Sequence, residues 1–305
     1  MTMLQLPDGR LLSYELTFPT EPQRPTVLLS NSLSAQYHFW DDVVSALHAS
    51  GLRVLRYDYP GHCASTAPAD LASTTFASLA DDVFRLLTSP HVISCFAGRN
   101  QPGELVPFLH AWIGVSMGAA LGVYFAIAHP GLIKNLVLCD TVLCSPGNAG
   151  QPDPFGARVE AARKDGSMAP TVQQTMERWF GGEWIASNPE QAERLRELML
   201  TTTLDGYETC IAALQSPTFD LRPLAPKVAT GIEHALIVVG EKDADLPVKM
   251  RQLQEGIERG FREAERTSET VSFVVIANAG HLCFIDNLED YKKAVIPFVK
   301  GLELS

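Results

Sequence analysis

The segment that most constrains this chain is an uncharged run of 18 residues, A-W-I-G-V-S-M-G-A-A-L-G-V-Y-F-A-I-A, from Ala111 to Ala128. On length alone it is a marginal membrane span, and it even contains G-x-x-x-G spacings. Two features argue against that reading. No basic cluster flanks the run, and Gly114-Val115-Ser116-Met117-Gly118 divides it into a strand-length piece and a helix-length piece. The run therefore predicts the most buried strand and helix of a protein that does not cross a membrane.

The dividing pentapeptide has the form G-x-S-x-G, and its place between a buried strand and a helix gives it chemical meaning. A serine on a sharp strand-to-helix turn is forced into strained backbone angles, and its neighbours two residues away must be small for the turn to close. Gly114 and Gly118 supply that room. The helix N-terminus behind Ser116 favours developing negative charge. Ser116 is the candidate nucleophile.

Short β-branched runs alternate with helical patterns around this turn. Strands are predicted at Thr26 to Ser30, Leu52 to Tyr57, Ala111 to Val115, Leu136 to Cys139, Ala235 to Val239 and Val271 to Ile276. Helices are predicted at Phe39 to Ser50, Leu79 to Thr88, Met117 to Ala128, Met250 to Glu265 and Asp290 to Gly301. Apolar strands separated by helices are the signature of an α/β fold with a mostly parallel sheet covered on both faces. Leu11 to Leu16 reads as an antiparallel hairpin leading into that sheet. Between about Val142 and Pro226 the alternation stops and the pattern turns helical, bounded by S-P-G-N-A-G-Q-P-D-P-F-G and R-P-L-A-P. The expected organisation is a core of residues 1–140 and 226–305 with a helical cap, 141–225, over the sheet's carboxyl edge.

A nucleophilic serine needs a base, and the chain has eight histidines. His281 follows the strand V-S-F-V-V-I through a short turn, so it can reach the same sheet edge as Ser116. The acid that orients it is expected at Asp243, just after the strand A-L-I-V-V-G. Asp245, two residues on, and Asp140, which ends L-V-L-C-D, are the rivals. Oxyanion donors are expected from the Met117 N–H and from the loop Asn31-Ser32-Leu33-Ser34, with Leu33 N–H preferred. Ser32, Trp40, Trp179 and Trp184 are expected to bind substrate, with His38 at the pocket mouth and Phe180 on an apolar wall.

Charge and cysteines narrow the partners. With 24 Lys and Arg against 35 Asp and Glu, the net charge is −11, which disfavours nucleic acid or an anionic membrane. The six cysteines, at 63, 95, 139, 144, 210 and 283, contain no C-x-x-C pair and no zinc spacing, so free thiols in a reducing compartment and no metal are expected. The start of the chain, M-T-M-L-Q-L-P-D-G-R, lacks a signal-peptide pattern, so a cytoplasmic location is expected. Self-association is left open.

At this point the residues resemble the α/β-hydrolase superfamily, and within it the 3-oxoadipate enol-lactonases. The pieces that carry the resemblance run collinearly along nearly the whole chain. They are N-S-L at 31–33, L-R-Y-D-Y-P-G-H at 55–62, G-V-S-M-G-A at 114–119, A-H-P-G-L-I-K-N-L-V-L-C-D-T at 128–141, R-W-F at 178–180, G-Y-E-T-C at 206–210, D-L-R-P-L at 220–224, G-E-K-D at 240–243 and A-G-H-L at 279–282. The resemblance implies an α/β-hydrolase fold with an eight-stranded sheet and a helical cap. It also implies a Ser116–Asp243–His281 triad, no cofactor, and hydrolysis of a small ester or lactone through an acyl-enzyme. The chain departs from the family at Pro60 and Cys63 within R-Y-D-Y-P-G-H-C, and in insertions at 89–110 and 260–270. The charge of the second insertion predicts an exposed helix. The same triad serves C–C bond hydrolysis and biosynthetic cyclisation or release of a metabolite. A small-molecule binding module without turnover is the reading from another class.

Overall fold

The computed structural model describes residues 2–21, 23–96, 106–266 and 271–301. Its eight strands are β1 (Thr2–Gln5), β2 (Leu11–Leu16), β3 (Thr26–Ser30), β4 (Arg53–Tyr57), β5 (Leu109–Val115), β6 (Ile133–Cys139), β7 (His234–Gly240) and β8 (Val271–Ile276). They form one sheet in the order β1-β2-β4-β3-β5-β6-β7-β8. The β1–β2 hairpin and the β2–β4 pairing are antiparallel, and every later pairing is parallel. β3, β4 and β5 are buried almost throughout, because a parallel strand covered by helices on both faces has no solvent side.

The helices are α1 (Asp41–Ala49), α2 (Phe76–Thr88), the short α3 (Pro90–Ile93), α4 (Met117–Ala128), α5 (Pro154–Asp165), α6 (Ala169–Ser187), α7 (Pro189–Leu200), α8 (Leu204–Gln215), α9 (Leu246–Glu263), the short α10 (Cys283–Asp286) and α11 (Leu288–Val299). The uncharged run becomes β5 and α4, and Trp112 and Phe125 within it are wholly buried. Burying a side chain of that size contributes roughly 1.5–3 kcal/mol, so the run is a main source of core stability. No helix of the described residues is long and apolar enough to cross a membrane.

Element boundaries shift where local chemistry outranks periodicity. α2 begins three residues before the predicted start because Thr75 and Ser78 close a capping box across its first turn. α9 begins at Leu246, where Pro247 occupies the first turn and needs no hydrogen-bond donor. The exposed helix predicted for 260–270 is corrected in part. Gly260 and Phe261 are buried against the segment Ala225–Thr230, and only Arg262–Glu265 are exposed. Residues 267–270 of that insertion, and 97–105 of the earlier one, lie outside the described residues. Of the described part of the 89–110 insertion, Val92, Cys95 and Phe96 pack into the core while Pro90, His91, Ser94 and Val106 are exposed.

α5 to α8 lie between β6 and β7, and an antiparallel bridge between Cys144 and Asp220 joins the two ends of this helical insertion. The sheet order places β3 and β5 side by side, although β4 intervenes in sequence. The chain thus reverses its winding direction between them. In open α/β sheets such a switch point leaves a crevice at the carboxyl ends of the strands.

Candidate active site

Ser116 sits at that switch point, between the end of β5 and the start of α4. Its backbone is in a strained region, φ +54° and ψ −116°. Four contacts hold the turn there. The Ser116 N–H donates to the Cys139 carbonyl at 2.8 Å, and the Trp112 indole donates to the Gly118 carbonyl at 3.0 Å. A Cβ on Gly114 would run into the Gly118 carbonyl, and one on Gly118 into the Ser30 carbonyl. Glycine at both positions is therefore a packing requirement, and Gly118 brings the first turn of α4 onto the loop after β3.

That loop carries Ser32, Leu33 and Ser34, all lining the same cavity as Ser116. Among the described residues, neither the Leu33 nor the Met117 backbone N–H donates to another protein group. The loop is braced from below. Ser34 N–H donates to His62 Nε2 at 3.0 Å, and the other ring nitrogen, Nδ1, donates to the Pro60 carbonyl at 3.0 Å. Those partners fix the neutral tautomer, and complete burial pushes the His62 pKa down to about 4. His62 is thus a neutral prop for the loop.

His281 and Asp243 meet on the opposite side. Asp243 follows β7, His281 follows β8, and His281 Nδ1 lies 2.7 Å from Asp243 Oδ2. Both side chains are only slightly exposed, 14% and 13%. Asp243 is thus the acid at the imidazole. Asp245 lines the cavity but pairs with Lys249 at 2.8 Å, and Asp140 lies buried beneath. Trp179 of α6 clasps the histidine. Its ring stacks on the imidazole with centroids 5.5 Å apart, and its carbonyl accepts the His281 N–H at 3.2 Å.

Ser116, Asp243 and His281 open on one cavity of about 380 Å³ between the sheet edge and the insertion. Ser32, Leu33 and Trp179 line it as expected, and Met117 lies buried beneath it. Two expected substrate contacts are corrected. Trp40 is wholly buried, because its indole donates to Asn31 Oδ1 at 2.8 Å and stacks on Phe284 at 3.9 Å. Trp184 stacks on Phe180 at 4.4 Å, and both line a neighbouring cavity behind Trp179. His38 faces Asp41 at 3.1 Å and does not line the cavity.

Three lining residues are not among the expected site residues, although Arg178 and Tyr207 fall within R-W-F and G-Y-E-T-C. Arg158 on α5, Arg178 on α6 and Tyr207 on α8 face the cavity together. Among the described residues neither arginine has an ion-pair partner; Arg158 only rests over the Phe155 ring, 5.6 Å from its centroid. Arg178 is an exposed residue, yet protein packs around part of its side chain. That enclosure, with the like charge of Arg158, pulls its pKa down. Two unpaired guanidiniums in one pocket are an unfavourable arrangement that an anion relieves. Among the described residues no three His, Cys, Asp or Glu side chains converge as a metal-ligand set.

Comparison with known proteins places this geometry in context. The family model described as the alpha/beta hydrolase family matches residues 27–294. A 3-oxoadipate enol-lactonase of Acinetobacter baylyi is 25% identical over 97% of this chain and 95% of its own. The crystal structure of the enol-lactonase from Burkholderia xenovorans superimposes with a TM-score of 0.78 at 26% identity, over 98% of this chain and 100% of that one. A hydrolase from Pseudomonas aeruginosa gives 0.79 at 25% identity, over 98% of both chains.

Proposed function

This chain belongs to the alpha/beta hydrolase family, and from that premise we propose that it is a serine hydrolase cleaving a small, anionic carboxylic ester or lactone. The observation that carries the reading is the convergence of Ser116, Asp243 and His281 on one cavity, with His281 Nδ1 held 2.7 Å from Asp243. In this reading His281 takes the Ser116 proton as Oγ attacks the substrate carbonyl. Asp243 holds the imidazole in the tautomer that leaves Nε2 free and stabilises the imidazolium that forms. The Leu33 and Met117 amides receive the oxyanion, a contribution of roughly 2.7–4 kcal/mol for each such donor. His281 returns the proton to the leaving oxygen, and water then releases the acyl group from Ser116 by the same steps.

The relatives named enol-lactonases support ester or lactone chemistry. Arg158 and Arg178 support an anionic substrate. Residues 1–140 and 226–305 would form the catalytic core and 141–225 the cap that encloses the substrate.

The test is a panel of paired substrates with product analysis. p-Nitrophenyl acetate, p-nitrophenyl hemisuccinate, small lactones and a β-diketone separate the alternatives. The reading predicts acid and alcohol products, with kcat/KM for the hemisuccinate at least about 10-fold above the acetate, as expected for one charged contact. Cleavage of the β-diketone alone would replace ester chemistry with C–C hydrolysis. Tight binding of these compounds without turnover would make the protein a binding module.

A further inference from the structure

Behind the Asp243–His281 pair lies a second carboxyl group that the reaction above does not use. Asp140 follows β6, is wholly buried and has a left-handed backbone, φ +45°. Its Oδ1 accepts the Gly240 N–H at 2.7 Å, from the last residue of β7. Its Oδ2 is buried and receives no hydrogen bond. Asp243, three residues beyond Gly240, is in side-chain contact with it.

A buried carboxylate oxygen without a donor, facing a second carboxylate, is not a stable arrangement. Either oxygen alone loses several kcal/mol of hydration, and the like charges add to that. One proton resolves both problems. On a carboxylic acid the orphaned oxygen becomes a donor, and the neighbouring carboxylate becomes its acceptor. Asp243 is the less buried of the two and the one bonded to the imidazole, so it is the better site for the negative charge.

We propose that Asp140 is a positioning residue, a neutral carboxylic acid that donates a hydrogen bond from Oδ2 to Asp243 and so fixes the acid that holds His281. The inference rests on the serine-hydrolase reading. Asp140 touches no substrate. It acts on rate by limiting rotation of the Asp243 carboxylate, and with it the imidazole. Burial and the nearby Asp243 charge hold the Asp140 proton in place, raising its pKa well above the ordinary range. Of the other groups facing it, the Cys283 thiol is the one that offers a hydrogen toward the Asp140 carboxyl; it is a weak donor whose lowering effect burial and the Asp243 charge outweigh. Cys139 on β6, Cys283 on α10 and Tyr291 on α11 all have burial-raised pKa values and stay neutral. Asp286 on α10, beyond Cys283, accepts the Gly280 N–H at 2.5 Å, and burial raises its pKa to about 7. Its titration overlaps the catalytic range, and Lys242 is the cation closest to it in effect.

The experiment compares pH profiles of kcat/KM for the intact protein, Asp140→Asn and Asp140→Ala, each also in an Asp286→Asn background that removes the overlapping titration. Asparagine keeps an acceptor for Gly240 and a neutral donor for Asp243; alanine removes both. The expected result is that Asp140→Ala lowers kcat about 10–100-fold with little change in KM, in the manner of groups that orient a catalytic partner. Asp140→Asn restores kcat to within about 3-fold, with the acid limb of the profile unmoved. An acid limb displaced downward by a unit or more in Asp140→Asn would show that a negative charge had been removed, overturning the neutral-acid assignment. Unchanged kcat in Asp140→Ala would overturn the positioning role, and should that variant not fold, the Asp140→Asn profile alone decides. If the unaltered protein turns over no ester at all, the failure belongs to the hydrolase reading.

Discussion

The sheet edge and the helical insertion enclose the same cavity but are built differently. At the sheet edge, backbone geometry leaves almost no freedom. Ser34, Ser116, Asp140 and Ala244 all have positive φ, and glycine contacts lock the turn around Ser116. The insertion carries its cavity residues on ordinary helices. Its outer surface is laced with exposed ion pairs such as Arg163–Asp205 and Arg194–Asp41, each at 2.6 Å and each contributing at most about 1 kcal/mol. Even so, α6 breaks at Gly181, with φ +77° and ψ +155°, just after the residues that reach His281 and the cavity. The difference suggests a division of labour: the rigid edge sets the rate of the chemistry and the insertion selects what is held against it. Substitutions on the two sides should therefore leave different kinetic signatures.

The largest effect is expected at the edge. Ser116→Ala should lower kcat by about 10⁴- to 10⁶-fold while the melting temperature holds, measured by ester turnover and thermal unfolding. Asp243→Asn should cost about 10³- to 10⁴-fold in kcat with KM nearly unchanged, since it disturbs the tautomer of His281 and not the pocket. Loss of similar size in KM would blur the comparison.

Substitution in the insertion should show the reverse pattern. Arg178→Ala is expected to raise KM for a carboxylate-bearing ester about 10- to 100-fold, the loss of one charged hydrogen bond. Its effect on a neutral ester of the same length should stay within about 3-fold. Equal losses on both esters would remove selection from the insertion.

The smallest effect concerns stability at the edge. Asp58 Oδ1 accepts the Tyr37 N–H at 2.8 Å, and burial raises the Asp58 pKa to about 7. The folded state thus keeps a proton that the unfolded chain releases near pH 4, and folding loses stability as pH rises from about 4 to about 7. His62, pulled down to about 4, acts oppositely between about 4 and 6.5. Asp58→Asn keeps the acceptor and removes the first titration. Its melting temperature relative to the parent should therefore rise between pH 5 and pH 8, by a few degrees. A flat difference across that range would show that Asp58 does not carry the strain.

These two regions also differ in how far the sequence reveals them. Ser116 was legible because an elbow cannot close without small residues on each side, so geometry is written into residue type at 114 and 118. Asp243 and His281 were legible because ends of parallel strands face the crevice. Asp140 is a rival for the place of the acid, and sequence cannot show that its Oδ1 accepts the Gly240 N–H while Asp243 takes the imidazole. Arg158, Arg178 and Tyr207 do not read as site residues, although R-W-F and G-Y-E-T-C carry part of the resemblance, because a charged or polar residue on a helix reads as solvent-facing until the fold turns that face onto a cavity. Trp40 misled for the converse reason. An aromatic beside a site loop looks like a pocket wall, and its partners Asn31 and Phe284 are 9 and 244 positions away in sequence.

Mass spectrometry after exposure to a fluorophosphonate, with peptide mapping of the adduct, tests the central claim most directly. The account predicts one adduct per chain on Ser116, absent in Ser116→Ala, strongly slowed in His281→Ala, and formed at near-parental rate in Arg178→Ala because the probe is uncharged there. An unlabelled parent protein, or an adduct and ester turnover that persist in Ser116→Ala, would contradict it.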